Sequence, residues 1–86
     1  MKVKKVKVYS TMMCPYCRME KSWLEAKEIE HEIAYVDKDQ NQAMEMVRKT
    51  GQMGVPVTEI EFDKGESKYI VGFDIPGLSE ALEVKN

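Results

Sequence analysis

Cysteine is scarce in this chain: two in 86 residues, both inside one four-residue stretch, Cys14-Pro15-Tyr16-Cys17. That count excludes the disulfide framework on which small secreted domains depend. Histidine is scarcer still, and His31 stands far from the cysteines, so a structural zinc site, which takes four nitrogen or sulfur ligands, lacks its donors. No apolar run approaches the roughly 18 residues of a membrane helix. The start, Met1-Lys2-Val3-Lys4-Lys5-Val6, has no apolar block of the kind a secretory signal carries, and the expected location is the cytoplasm. Neither sign of charge dominates: a net charge of −2 gives no general electrostatic reason for nucleic-acid binding. A chain this short has no room for a second core, so residues 1–86 are expected to form one domain.

What is present points to sulfur chemistry. The two cysteines follow an alternating apolar segment (Val3, Val6, Val8, Tyr9) and precede a helix-patterned one. A cysteine at the first turn of a helix faces unpaired backbone N–H groups and the positive end of the helix dipole, both favouring thiolate over thiol. A lowered thiol pKa makes a cysteine a nucleophile near neutral pH. Pro15 suits the first helical position, where its missing N–H removes nothing the helix needs. A permanent structural disulfide is the plainer alternative, but a two-residue spacer closes so small a loop that its entropic stabilisation is slight. A redox-active dithiol is the better expectation.

In chain order, residues 3–9 alternate as a strand, with Lys2, Lys4, Lys5 and Lys7 as its solvated side chains. Residues 15–28 switch to helical spacing. Met19, Trp23 and Ala26, with Leu24 beside them, are expected to face inward, and Arg18, Glu20, Lys21, Glu25 and Lys27 to face water. Ile29–Asp37 reads as a second strand from its β-formers Ile33, Tyr35 and Val36, with His31 an ordinary strand residue. Strand, crossover helix and strand predict a parallel βαβ unit. Asp39 is a good N-cap for a helix through Lys49, with Met44 and Val47 as its apolar spacing, and Gly51 suits its left-handed end. A strand from Val57 to Phe62, a turn at Asp63-Lys64-Gly65-Glu66 and a return from Ser67 to Val71 make a hairpin. Residues 72–77 read as a loop, and Leu78, Ala81 and Leu82 as a short closing helix. The order βαβαββα predicts an α/β domain with a four-stranded mixed sheet and three helices on its faces. The seven methionines are expected to fill gaps between these layers.

This order, together with Cys14-Pro15-Tyr16-Cys17, resembles the glutaredoxin family of the thioredoxin superfamily. Further pieces carry the resemblance along nearly the whole chain: Tyr9-Ser10-Thr11, Asp37-Lys38-Asp39, Thr50-Gly51-Gln52 before Val55-Pro56-Val57, and Gly72-Phe73-Asp74 before the last helix. The resemblance implies a thioredoxin-like fold and thiol–disulfide oxidoreductase activity. In it Cys14 is the nucleophile and Cys17 the resolving thiol, with Pro15, Tyr16 and Thr11 in the active-site loop. It implies a cis Val55–Pro56 peptide whose backbone pairs with a thiol substrate. Gly72, Phe73 and Asp74 align with the segment that holds the γ-glutamyl end of glutathione.

The departures matter as much. Thr11 stands where the family often has lysine, Gly54 replaces the threonine of Thr-Val-Pro, Val71 replaces the first glycine of a Gly-Gly pair, and Phe73 is bulky. Gly72-Phe73 with Pro76 and Leu78 is similar to the NrdH-redoxins, glutaredoxin-like proteins that serve ribonucleotide reductase and are reduced by a thioredoxin reductase. The expected partners are therefore disulfide-containing proteins, ribonucleotide reductase among them, with thioredoxin reductase or glutathione as reductant. No metal or other cofactor is required, and a monomer is expected. The alternatives are a glutathione-dependent glutaredoxin, an iron–sulfur-bridged dimer through Cys14, and a non-catalytic interaction module.

Overall fold

The computed structural model describes residues 2–84. The elements run β1 (Val3–Ser10), α1 (Pro15–Ala26), β2 (Glu32–Tyr35), α2 (Gln40–Thr50), β3 (Val57–Phe62), β4 (Ser67–Val71) and α3 (Ile75–Leu82), the order expected. The four strands lie in the order β2-β1-β3-β4. β1 and β2 are parallel, while β1–β3 and β3–β4 are antiparallel. Alternation of side chains along the strands gives the sheet two buried faces. On one, Tyr9, Ala34 and Val57 meet Met46 of α2. On the other, Ile60 and Ile70 meet Leu78 and Ala81 of α3, and Trp23 of α1 packs against them. Among the described residues no helix is long and apolar enough to cross a membrane.

Capping and turn residues set several element boundaries. Asp39 accepts hydrogen bonds from the Asn41 and Gln42 N–H groups, and Gly51 closes α2 at φ 69°. Gly65 turns the β3–β4 hairpin at φ 87°. Two boundaries depart from expectation. β2 begins at Glu32, not Ile29, because α1 ends in a chain reversal that uses the residues before it: Glu28 takes φ 56° and the Ile29 N–H donates to the Leu24 carbonyl at 2.9 Å. His31 thus precedes the strand, its Nδ1 2.8 Å from the Ile29 carbonyl oxygen. α3 begins at Ile75 within the expected loop, because Asp74 caps it, accepting from the Gly77 N–H at 3.1 Å, and Pro76 fits its first turn.

Two helices are rotated from their expected faces. In α1 the buried stripe is Cys17, Glu20 and Leu24, with Trp23 half-buried, while Met19 is exposed. Glu20, expected on the wet side, is tolerated inside because the Thr58 hydroxyl of β3 donates to its Oε2. In α2, Met46 is buried and Met44 and Val47 are exposed. This rotation brings Glu45 and Lys49 to the sheet: Lys49 Nζ lies 2.8 Å from Glu45 and 3.3 Å from Glu59, and Lys7 lies 3.5 Å from Glu45. Tyr9 also reaches Glu59, at 3.3 Å, and burial, followed by that carboxylate, pushes its pKa up to about 12. The expectation that methionines fill the interior is overturned: Met12, Met13, Met19, Met44 and Met53 are exposed, and of the described methionines Met46 alone is buried.

Candidate active site

Strand register gathers the candidate residues. β1 ends where β3 begins, with Tyr9 opposite Val57, and Val57 is in turn opposite Val71 at the end of β4. Ser10 lies opposite Tyr35 at the end of β2. The loops carrying Cys14, Val55–Pro56, Gly72–Asp74 and Val36–Asp37 therefore emerge at one end of the sheet. Hydrogen bonds tie them: the Met12 N–H donates to Asp37 at 3.1 Å, Val36 N–H to the Ser10 carbonyl at 2.9 Å, and Gly72 N–H to the Pro56 carbonyl at 2.8 Å.

Cys14 is the N-cap of α1 and Pro15 opens the first turn. The Cys17 N–H donates to Cys14 Sγ at 3.1 Å, so an orphan donor of the helix end points at this sulfur. No acidic side chain occupies that first turn. The same geometry favours negative charge on Cys14 once the sulfur is reduced. Cys14 and Cys17 are paired as a disulfide, with Cα atoms 5.2 Å apart. Their accessibility differs: Cys14 is partly exposed, whereas Cys17 is 3% exposed.

The remaining expected residues sit at the same end in different states. Tyr16 is exposed and Thr11 half-buried. Val55 packs against the Tyr9 cluster, Pro56 is buried, and the peptide between them is cis, as expected. Gly72 needs its residue type, with φ 83°. Phe73 turns inward, edge-on to Trp23 with ring centroids 6.5 Å apart.

Some features of the site escaped the sequence reading. A cavity of about 180 Å³ beside Cys17 is lined by Thr11, Met12, Arg18, Lys21 and Tyr35 among others. Asp37, expected only as the end of the second strand and as part of the Asp37-Lys38-Asp39 segment, anchors the loop before Cys14. Glu20 was assigned to water; the signal that finds it is the spacing Cys17, Glu20, Leu24, at i, i+3 and i+7, counted from the cysteine rather than from Met19.

A disulfide-forming pair at a helix N-terminus, on a four-stranded mixed sheet of this order, defines a thiol–disulfide oxidoreductase with the thioredoxin-like fold. The glutaredoxin family matches residues 6–62, and the chain belongs to it. It is 33% identical over 78 residues to a glutaredoxin-like 8.6 kDa protein of the Clostridium pasteurianum rubredoxin operon, covering 91% of this chain and 97% of that one. Among solved structures it is similar to Methanosarcina acetivorans methanoredoxin, with a TM-score of 0.78 and 25% identity over 91% of this chain and 83% of the other. A variant of the thioredoxin-like protein BC3987 shares the fold, at TM-score 0.81 and 24% identity over 95% of this chain and 99% of that one.

Proposed function

We propose that this chain is an electron donor to protein disulfides, working like an NrdH-redoxin and recharged by a thioredoxin reductase. The Cys14 thiolate attacks one sulfur of the substrate disulfide. That S–S bond breaks, one substrate sulfur leaves as thiolate, and the other stays joined to Cys14. Cys17, once deprotonated, attacks the Cys14 sulfur, the second substrate thiolate leaves, and the Cys14–Cys17 disulfide holds the oxidising equivalents. Two electrons pass to the substrate, and the reductase returns two. The backbone of Val55, Pro56, Gly72, Phe73 and Asp74 forms the rim against which the substrate rests, and Pro15, Tyr16 and Thr11 shape the loop around the nucleophile.

The observation that carries this reading is the exposed apolar border of the site. Met12 and Met13 precede Cys14, Tyr16 and Met19 follow it on α1, and Met53 precedes the Val55–Pro56 loop; Met13 and Met53 are 81% and 83% exposed. Flexible, polarisable methionines suit an irregular protein surface better than a charged tripeptide. Thr11 offers no cation, Phe73 is turned inward, and Asp74 is engaged with its own helix. A dithiol that works reduced fits a reducing compartment, the cytoplasm.

Glutathione as reductant is the second reading, and Arg18 and Lys21 favour it: both line the cavity beside Cys17, where they suit a carboxylate. A donor panel separates the two. With a protein disulfide as substrate, NADPH oxidation through thioredoxin reductase is expected to exceed that through glutathione and glutathione reductase. Turnover sustained by glutathione alone overturns the first reading in favour of the second.

A further inference from the structure

The exchange scheme leaves one buried ionisable group without a role. Glu20 is 0% exposed. It lies three residues after Cys17 on α1, so the two are neighbours on the same buried face. Its Oε2 accepts from the Thr58 hydroxyl, while its Oε1 is buried with no partner. Thr58 follows Val57, at the start of the strand that leaves the Pro56 loop. Burial raises the Glu20 pKa above the usual carboxylate value, with the Thr58 hydrogen bond and the charge of His31 acting against it. Across this face β1 contributes Val6 and Val8, β3 Ile60, β4 Ile70 with the exposed Lys68 in register with Ile60, and α3 Leu78 and Ala81. An apolar side chain in this place would satisfy packing without stranding an oxygen.

We propose that Glu20 is the proton partner of Cys17. The proposal rests on the exchange reading and adds the proton to it. In the disulfide form Glu20 is a neutral carboxylic acid. When an external thiolate attacks Cys14, the Cys14–Cys17 bond breaks and Cys17 leaves as a buried thiolate. Glu20 gives it a proton, so that Cys17 becomes a thiol and Glu20 a carboxylate. In the opposite half-cycle the mixed disulfide on Cys14 awaits Cys17. Glu20 takes the proton back, the Cys17 thiolate attacks, and the departing substrate thiolate draws its proton from solvent. The buried layer carries no charge in the disulfide form; the charge brought by the attacking thiolate passes to the Cys17 sulfur and then to the Glu20 carboxylate, and it leaves again with the departing substrate thiolate. A raised carboxyl pKa is closer to that of a thiol, the condition for efficient transfer between them.

The test uses reduced protein and the aromatic disulfide dithiobis(nitrobenzoate) in stopped flow without oxygen. Attack by Cys14 releases one coloured thiolate and attack by Cys17 releases a second. In Glu20→Gln the second release is expected to slow on the order of 100-fold near neutral pH. The wild type is expected to show an inflection with pH that this variant lacks, and Glu20→Asp should restore part of both. A second release that matches the wild type in rate and pH profile overturns the proposal. Absence of the first release in the wild type overturns the exchange scheme, and this proposal with it. Infrared difference spectra of the unmutated protein give an independent readout that does not depend on a variant folding. Carboxyls whose state does not change cancel in the difference, so a protonated-carboxyl band lost on reduction supports the assignment. An unchanged band refutes it.

Discussion

Cys14 serves two purposes with one atom, since its sulfur ends a helix and carries the redox chemistry. The two can be separated. Serine is a good N-cap, so Cys14→Ser is expected to keep the stability of the reduced wild type to within about 0.5 kcal/mol while abolishing turnover. Cys17→Ser should accumulate a mixed disulfide visible by mass spectrometry; equal activity in both variants would exclude the scheme. At the other side of the site, Asp74 and Gly77 act as a pair. Asp74→Ala is expected to lower stability by about 1 kcal/mol through loss of the α3 cap. Gly77→Ala should cause a similar loss by a different route, because an added Cβ would stand 2.5 Å from Asp74 Oδ2 and displace the capping carboxylate. Thermal unfolding of both variants checks this, and full stability in the alanine at 77 would show that the carboxylate can cap from elsewhere.

At the scale of elements, the bond between Glu20 and Thr58 joins α1 to β3 across the layer. Thr58→Val strips the second oxygen of Glu20 of its partner and is expected to cost about 1–3 kcal/mol. Adding Glu20→Leu, which removes the stranded carboxyl as well, should recover most of that loss, and denaturant titration of single and double variants reads it. Cooperation between elements also explains which parts of the fold were legible in the sequence. Pro15 after Cys14, Asp39 and Gly51 around α2, and the turn at Gly65 all bound their elements by local chemistry, and local chemistry can be read along a chain. Asp74-Ile75-Pro76-Gly77 is equally local, yet its proline and glycine suit a loop as well as a helix start, and only the N-cap before Pro distinguishes the two. The faces of α1 and α2 were not local. Met19 and Met44 lie outside because Glu20 found Thr58 and Lys49 found Glu59, partners 38 and 10 residues away that apolar spacing does not reveal. The cysteine pair was legible at once, and the glutamate behind it was hidden by its charge.

For the molecule as a whole, two carboxyls tilt stability in opposite directions with pH. Glu45, whose pKa is lowered chiefly by its hydrogen bond from Lys49, contributes stability above the unfolded carboxylate range that is lost as pH falls through its depressed value. Glu20, with its pKa raised by burial, contributes most at acid pH and loses that contribution as pH rises through its elevated value. The Glu20→Gln variant should therefore lose the decline in unfolding free energy that Glu20 produces between the ordinary carboxylate range and its raised value; a pH profile identical to that of the wild type would show that this carboxyl's titration is not linked to folding. The exposed methionines give a test of the whole recognition surface. Replacing Met12, Met13 and Met53 together by serine should leave stability nearly unchanged, since all three are solvated. It should raise KM for a protein disulfide while sparing the rate with a small one. Equal KM values would remove the apolar border from the account. Finally, the Asp63–Glu66 turn leaves the sheet at the end opposite the sulfur pair, since Phe62 lies beside Val3 while Val57 lies beside Tyr9. That turn is a handle: a tether grafted there would hold the protein on an electrode or a bead with its reactive sulfur facing outward. Orientation of the immobilised molecule would then follow from strand direction alone, without altering any loop at the working end.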